Sequence, residues 1–220
     1  MMTHTMLSPK ITAQIDAICA LAPVIPVLTF NTLEEALPIA EALLEGGLPV
    51  LEITLRTEVA LASIQLLAER LPEAKIGAGT IATPAQYQQA CDAGASFIVT
   101  PGSTCELLDT GVASSIPLLP GIQTVSEMME GLQRGYQRFK FFPATVAGGT
   151  PALKAYGGPF PDVRFCPTGG IRLETAPEFL ALGNVMCVGG SWLTPADLIA
   201  KGDWKGIRDI ARDTVSRLRG

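Results

Sequence analysis

Short apolar runs alternate along this chain with longer stretches of helical periodicity. The run 24–30 (VIPVLTF) reads as a strand. Residues 33–45 then repeat apolar positions at helical spacing, with Asn31 or Thr32 as N-cap and Gly46 and Gly47 as the stop. A second strand, 50–55 (VLEITL), leads to a helix over 58–71, and a third, 75–80 (KIGAGT), to a helix that Pro84 opens near its first turn. Runs 97–101 (FIVTP), 117–121 (PLLPG), 138–143 (RFKFFP), 164–169 (RFCPTG) and 185–191 (VMCVGGS) complete a set of eight strands. They recur roughly every 20–26 residues, and alternating β and α units imply a parallel sheet. Eight units without a break in composition favour a closed (β/α)8 TIM barrel over an open doubly wound sheet. Residues 8–21 predict an extra N-terminal helix across the barrel bottom, and 203–218 an amphipathic closing helix. No linker or low-complexity tract interrupts the pattern, so residues 1–220 read as a single barrel domain.

A barrel of this kind carries its chemistry at the C-terminal ends of the strands and in the loops after them. Lys140 lies in RFKFFP, where alternation puts Phe139 and Phe141 on one face and Lys140 and Phe142 on the other. If the first pair packs under helices, Lys140 points into the barrel. Lysine is rarely buried without a partner, desolvation disfavours the charged form of any lysine, and a neutral amine attacks ketones. Glu52 is an acid in an otherwise apolar strand. It reads either as a proton relay beside Lys140 or as its structural counter-ion, and the two readings are compatible. Arg56, just past the same strand, has the planar fork that clamps a carboxylate. Thr80 ends GAGT with a hydroxyl. The last two strands end in Thr168–Gly169–Gly170 and Gly189–Gly190–Ser191, where open backbone N–H groups suit a phosphate; tight turning into the next helix is the plainer alternative.

Composition narrows the partners. The chain is 48% hydrophobic and 17% charged, with a net charge of −5 and no basic block, so a nucleic-acid partner is not expected. No run of eighteen apolar residues predicts a membrane span, and the first ten residues lack the apolar core of a signal peptide. The five cysteines form no CxxC pair and read as reduced core thiols of a cytoplasmic protein. His4 is the single histidine, near the N-terminus, which argues against a His-based metal site.

Taken in order, VLEITLRTE, GAGT, TPG, PGI, FKFFPA, RFCPTGGI and VGGSWL resemble the 2-keto-3-deoxy-6-phosphogluconate aldolase family, whose members also act on 2-keto-4-hydroxyglutarate. The resemblance runs from about Val24 to Ala200. It implies a class I, metal-free and cofactor-free aldolase, commonly a homotrimer, acting on a 2-keto acid and releasing a phosphorylated aldehyde. It also implies that Lys140 is the Schiff-base lysine and Glu52 the general acid/base. Arg56, Thr80, Pro101 and Phe142 would surround the pyruvyl portion. Thr168, Gly169, Gly170 and Ser191, with Gly190 in the same strand end, would hold the hydroxyl and phosphate end. The related phosphogalactonate aldolases, the alternative within the same family, tend to differ at the segments matching LRTE and PTGGI, so this chain resembles the gluconate branch more closely. A sugar-phosphate isomerase or epimerase with Glu52 as base stays open on the residues alone, as does a non-catalytic phosphate-binding barrel.

Overall fold

The computed structural model describes residues 6–219; His4 lies outside the described residues. The chain begins with α1 (Pro9–Cys19), β1 (Val24–Leu28), α2 (Ala36–Glu45), β2 (Val50–Thr54), α3 (Ala60–Arg70) and β3 (Lys75–Gly79). It continues with α4 (Pro84–Asp92), β4 (Phe97–Val99), α5 (Cys105–Ala113), β5 (Leu118–Leu119), β6 (Gly121–Ile122), α6 (Val125–Leu132) and β7 (Arg138–Phe141). The last part holds α7 (Gly149–Gly157), β8 (Arg164–Pro167), α8 (Ala176–Leu180), β9 (Val188–Gly190), α9 (Ala196–Lys201) and α10 (Trp204–Arg219).

Local chemistry starts and stops these helices. Thr83, Thr104 and Thr124 cap α4, α5 and α6 through their hydroxyls, and Glu127 closes a reciprocal capping box on Thr124. Gly47, at φ 94°, turns the chain out of α2 in the left-handed region that favours glycine. The start of α2 differs from the sequence expectation. Neither Asn31 nor Thr32 is its cap; the helix begins at Ala36 after a turn, without a side-chain cap. Glu35 instead reaches back, and its carboxylate accepts from the Asn31 N–H. A local side-chain bond has displaced the expected one.

Every strand pairing is parallel. One sheet runs β5-β4-β3-β2-β1-β9 and the other β6-β7-β8. Bridges Phe165↔Val185 and Thr168↔Gly189 join β8 to β9. On the other side, β5 and β6 are two halves of one stave split at Pro120, which has no N–H for a ladder. The Pro120 carbonyl still accepts from Lys140 N–H at 2.9 Å, so the stave stays continuous with β7. The result is a closed (β/α)8 barrel.

Its core has two parts. The larger lies between the outer faces of the strands and the helices, where Phe139, Phe141 and Phe165 pack, with the Phe141 and Phe165 rings 6.5 Å apart edge-on. Each such ring contributes about 1.5–3 kcal/mol by leaving water. The smaller fills the barrel floor: Ile25, Val50, Phe97, Val99, Leu119, Cys166 and Cys187 meet Ile15, Ile18 and Cys19 of α1. The leading helix thus closes the barrel bottom and leaves the opposite end open. Among the described residues, no helix is long and apolar enough to cross a membrane.

Candidate active site

The open end is built from strand positions that alternation turns inward. All five residues of β2 are buried. Leu51 and Ile53 join the outer core, which sends Glu52 and Thr54 into the barrel. Register pairs Glu52 with Val27 of β1 and Gly77 of β3, and Thr54 with Gly79. A Cβ on Gly79 would collide with the Glu52 carboxylate, so glycine at that strand end leaves the space Glu52 occupies.

Lys140 comes from β7, the stave directly across the barrel. Phe139 and Phe141 do pack outward, and Lys140 stands inward between Gly121 and Cys166 in register. Its Nζ donates to Glu52 Oε1 at 3.0 Å, with the two side chains only 6% and 4% exposed. The Nζ also lies 5.3 Å from the centre of the Phe142 ring. Two charges at this depth each lose hydration, and removing either leaves the other uncompensated, which typically costs about 3–5 kcal/mol.

Above the pair opens a cavity of about 270 Å³. Lys140, Phe142, Arg56, Thr168, Gly169, Gly170 and Ser191 line it. Gly169 and Gly170 both take positive φ, 100° and 76°, a path open to glycine that brings backbone to the cavity wall. Arg56 stands exposed at the rim, and its Nε donates to Thr80 Oγ1 at 3.2 Å. Thr80 is the one non-glycine residue at positive φ (62°) among the described residues. Such a backbone costs on the order of 1–3 kcal/mol and is held where the surroundings over-determine it.

Three of the expected binding residues, Thr80, Pro101 and Gly190, lie off the wall, Thr80 behind its bond to Arg56. Pro101 sits against Gly121, the register neighbour of Lys140. Gly190 lies against the Trp192 ring, so Gly189 faces the cavity in its place. Val27, Thr29 and Ile171 line the cavity without having been singled out in the sequence, and Gly189 joins them from the glycine-rich strand end. Alternation on β1 points to Val27 and Thr29, but neither carries a charge or motif to draw attention. Ile171 gives no sequence signal.

Cys19, Cys166 and Cys187 are core, whereas Cys91 is half-buried and Cys105 is exposed. All five are free. In the floor, Cys187 and Cys166 lie with their sulfurs 3.6 Å apart. The Cys166 and Cys19 thiols, followed by burial, hold the Cys187 thiol well above its ordinary value, which disfavours a thiolate. Among the described residues, no group of three or more His, Cys, Asp or Glu side chains is placed to hold a metal ion.

A closed (β/α)8 barrel with a buried lysine–carboxylate pair under an arginine-rimmed, glycine-walled mouth is an enzyme of the barrel aldolase class. The chain belongs to the KDPG and KHG aldolase family, whose model matches residues 15–210. It is 50% identical over 206 residues to the 2-dehydro-3-deoxy-phosphogluconate aldolase of Pseudomonas aeruginosa, covering 94% of each chain. It is 49% identical over 200 residues to the KHG/KDPG aldolase of Escherichia coli, covering 91% of this chain and 94% of that one. It superposes with a TM-score of 0.89 and 52% identity on the KDPG aldolase of Legionella pneumophila, covering 91% of this chain and 97% of that one. In that crystal structure pyruvate is captured at low pH as a covalent carbinolamine.

Proposed function

We propose that this chain cleaves 2-dehydro-3-deoxy-6-phosphogluconate to pyruvate and glyceraldehyde 3-phosphate, and 4-hydroxy-2-oxoglutarate to pyruvate and glyoxylate, through an imine on Lys140. The observation that carries the reading is the 3.0 Å contact between Lys140 Nζ and Glu52 Oε1 at the base of the cavity. The names of the Pseudomonas and Escherichia relatives supply the two substrates.

The Lys140 amine adds to the C2 ketone, and loss of water gives a protonated imine. Glu52 lies within hydrogen-bond reach of the amine, so a proton passes between them without a long transfer. Glu52 then takes the proton of the C4 hydroxyl. The C3–C4 bond breaks, its electron pair flows into the imine, and the aldehyde leaves. Reprotonation of the enamine at C3 and hydrolysis release pyruvate and restore the amine. The imine stands in for a carbanion that would be costly by itself. Arg56, fixed by Thr80, holds the pyruvyl carboxylate at the rim, with Phe142 on the pyruvyl side and Pro101 behind it against Gly121. Thr168, Gly169, Gly170, Gly189 and Ser191 form the hydroxyl and phosphate end.

The imine is the electron sink, so the reaction calls for neither metal nor cofactor. The whole chain, 1–220, acts as one cytoplasmic barrel domain, with Arg208 of α10 tied back to Glu45 of α2 at 3.0 Å, and it assembles as a homotrimer. A coupled assay of pyruvate release from both substrates, with and without chelator, tests the reading. Turnover that survives chelation is expected. No pyruvate from either substrate, or activity restored only by a divalent ion, would overturn it.

A further inference from the structure

Thr29 lines the cavity but has no part in the reaction above. It follows β1 and faces the same way as Val27, the register partner of Glu52. Two residues of strand lift it about 7 Å from the Glu52 level toward the mouth. On its other side, register Pro26↔Gly190 brings Ser191 alongside β1. Thr29 therefore stands between the carboxylate and the glycine-walled end of the cavity.

Its hydroxyl is not free to act in either sense. Thr54 Oγ1 lies 2.9 Å from the Leu28 carbonyl oxygen and 2.7 Å from Thr29 Oγ1. The carbonyl can only accept, so the single Thr54 proton belongs to it; otherwise two oxygens would face each other at that distance with no proton between them. Thr54 can then offer Thr29 only a lone pair, and the Thr29 proton goes to Thr54. The chain of donors runs Thr29 to Thr54 to the Leu28 carbonyl, and Thr54 is buried to 1% exposure, out of reach of competing water. What Thr29 presents to the cavity is an acceptor.

We infer that Thr29 is a specificity-determining residue that accepts a hydrogen bond from the C5 hydroxyl of the sugar acid. This rests on the proposed function, which puts C4 at Glu52 and the C6 phosphate at the Gly169–Ser191 end. The hydroxyl between them falls opposite Thr29. In 4-hydroxy-2-oxoglutarate that carbon is a carboxylate, which has no proton to give and meets an oxygen lone pair. The same residue therefore ranks the phosphorylated sugar acid above the hydroxyglutarate.

The test compares kcat/KM for 2-dehydro-3-deoxy-6-phosphogluconate and its 5-deoxy analogue in the unchanged enzyme, Thr29→Ser and Thr29→Val. Thr29 is exposed at the rim, valine keeps its branched shape, and in both variants Thr54 keeps its own bond to the Leu28 carbonyl. Loss of the C5 hydroxyl is expected to cost the unchanged enzyme and the serine variant about tenfold, the scale of one hydrogen bond. It should cost the valine variant almost nothing. A valine variant that keeps the full tenfold discrimination, or an unchanged enzyme that shows none, overturns the inference while the aldolase reading stands. An unchanged enzyme that cleaves neither compound overturns both.

Discussion

Lys140 and Glu52 each make sense only through the other. A lysine in a strand of phenylalanines and a glutamate in a strand of aliphatics are costly residues at those positions, and the barrel resolves both by pairing them at 3.0 Å from opposite staves. Glu52→Gln keeps the shape and removes the proton acceptor. Turnover should fall by about 10²–10⁴, the usual share of a general acid/base, and exchange of pyruvate methyl protons with deuterated water should slow in parallel. Exchange at the unchanged rate would move the base elsewhere. Arg56→Lys keeps the charge but loses the fork and the bond to Thr80. KM and pyruvate affinity should weaken by about tenfold, with kcat affected less; unaltered pyruvate affinity would remove Arg56 from the carboxylate. Lys140 and Glu52 stood out in the sequence because each is a charge in an apolar strand. Thr29 did not, since a threonine at a strand end is ordinary, and its meaning comes from Thr54 and the Leu28 carbonyl, contacts made across 25 and 26 residues of sequence. The left-handed backbone of Thr80 was equally invisible, because nothing in a threonine side chain announces it.

At the scale of elements, the period of apolar residues located the strands and their order, and their ends shifted by a residue or two. The run expected at 185–191 pairs as a regular strand only over Val188–Gly190, its earlier part reduced to one bridge at Val185. The run expected at 117–121 is divided by its own Pro120. The start of α2 went astray because Glu35, not Asn31 or Thr32, makes the local bond. The extra helix α1 was placed correctly, and its attachment bears on the site. Asp16 takes a two-pronged ion pair from Arg138, with Arg138 Nη2 at 2.9 Å from Oδ2, and Arg138 lies on β7 two residues before Lys140. Asp16→Ala should lower stability by about 1 kcal/mol, given that the pair is part-exposed, and speed hydrogen exchange in α1. Since Lys140 is held by its own bond to Glu52, kcat/KM should change less than threefold or so. Unchanged exchange in α1 would show that the apolar floor alone seats the helix.

For the whole molecule, the buried tyrosines set an alkaline limit. Burial, above all, pushes the Tyr87 hydroxyl from 10.0 up to about 12, and its Oη donates to the Ile116 carbonyl at 2.7 Å. Burial likewise raises Tyr136, whose Oη donates to the Leu108 carbonyl at 2.8 Å. A raised folded value means the native state keeps its proton after the unfolded chain has lost it. The stability from Tyr87 is therefore fully present below pH 10.0 and is lost as pH rises through about 12. Tyrosinate absorbance from these two residues should appear together with loss of structure, and Tyr87→Phe should weaken the pH dependence in that window; tyrosinate appearing from both in a folded chain would contradict this. The fold delivers one buried amine to one cavity, so the reaction should mark one lysine per chain. Pyruvate and borohydride added together should trap the imine as a stable secondary amine, and digestion with mass spectrometry should find a lactyl-type adduct on Lys140. Lys140→Ala and Lys140→Arg should give neither adduct nor turnover, since a methyl group has no amine and a guanidinium stays protonated. An adduct on a different lysine, or turnover surviving in Lys140→Ala, would contradict the account at its centre.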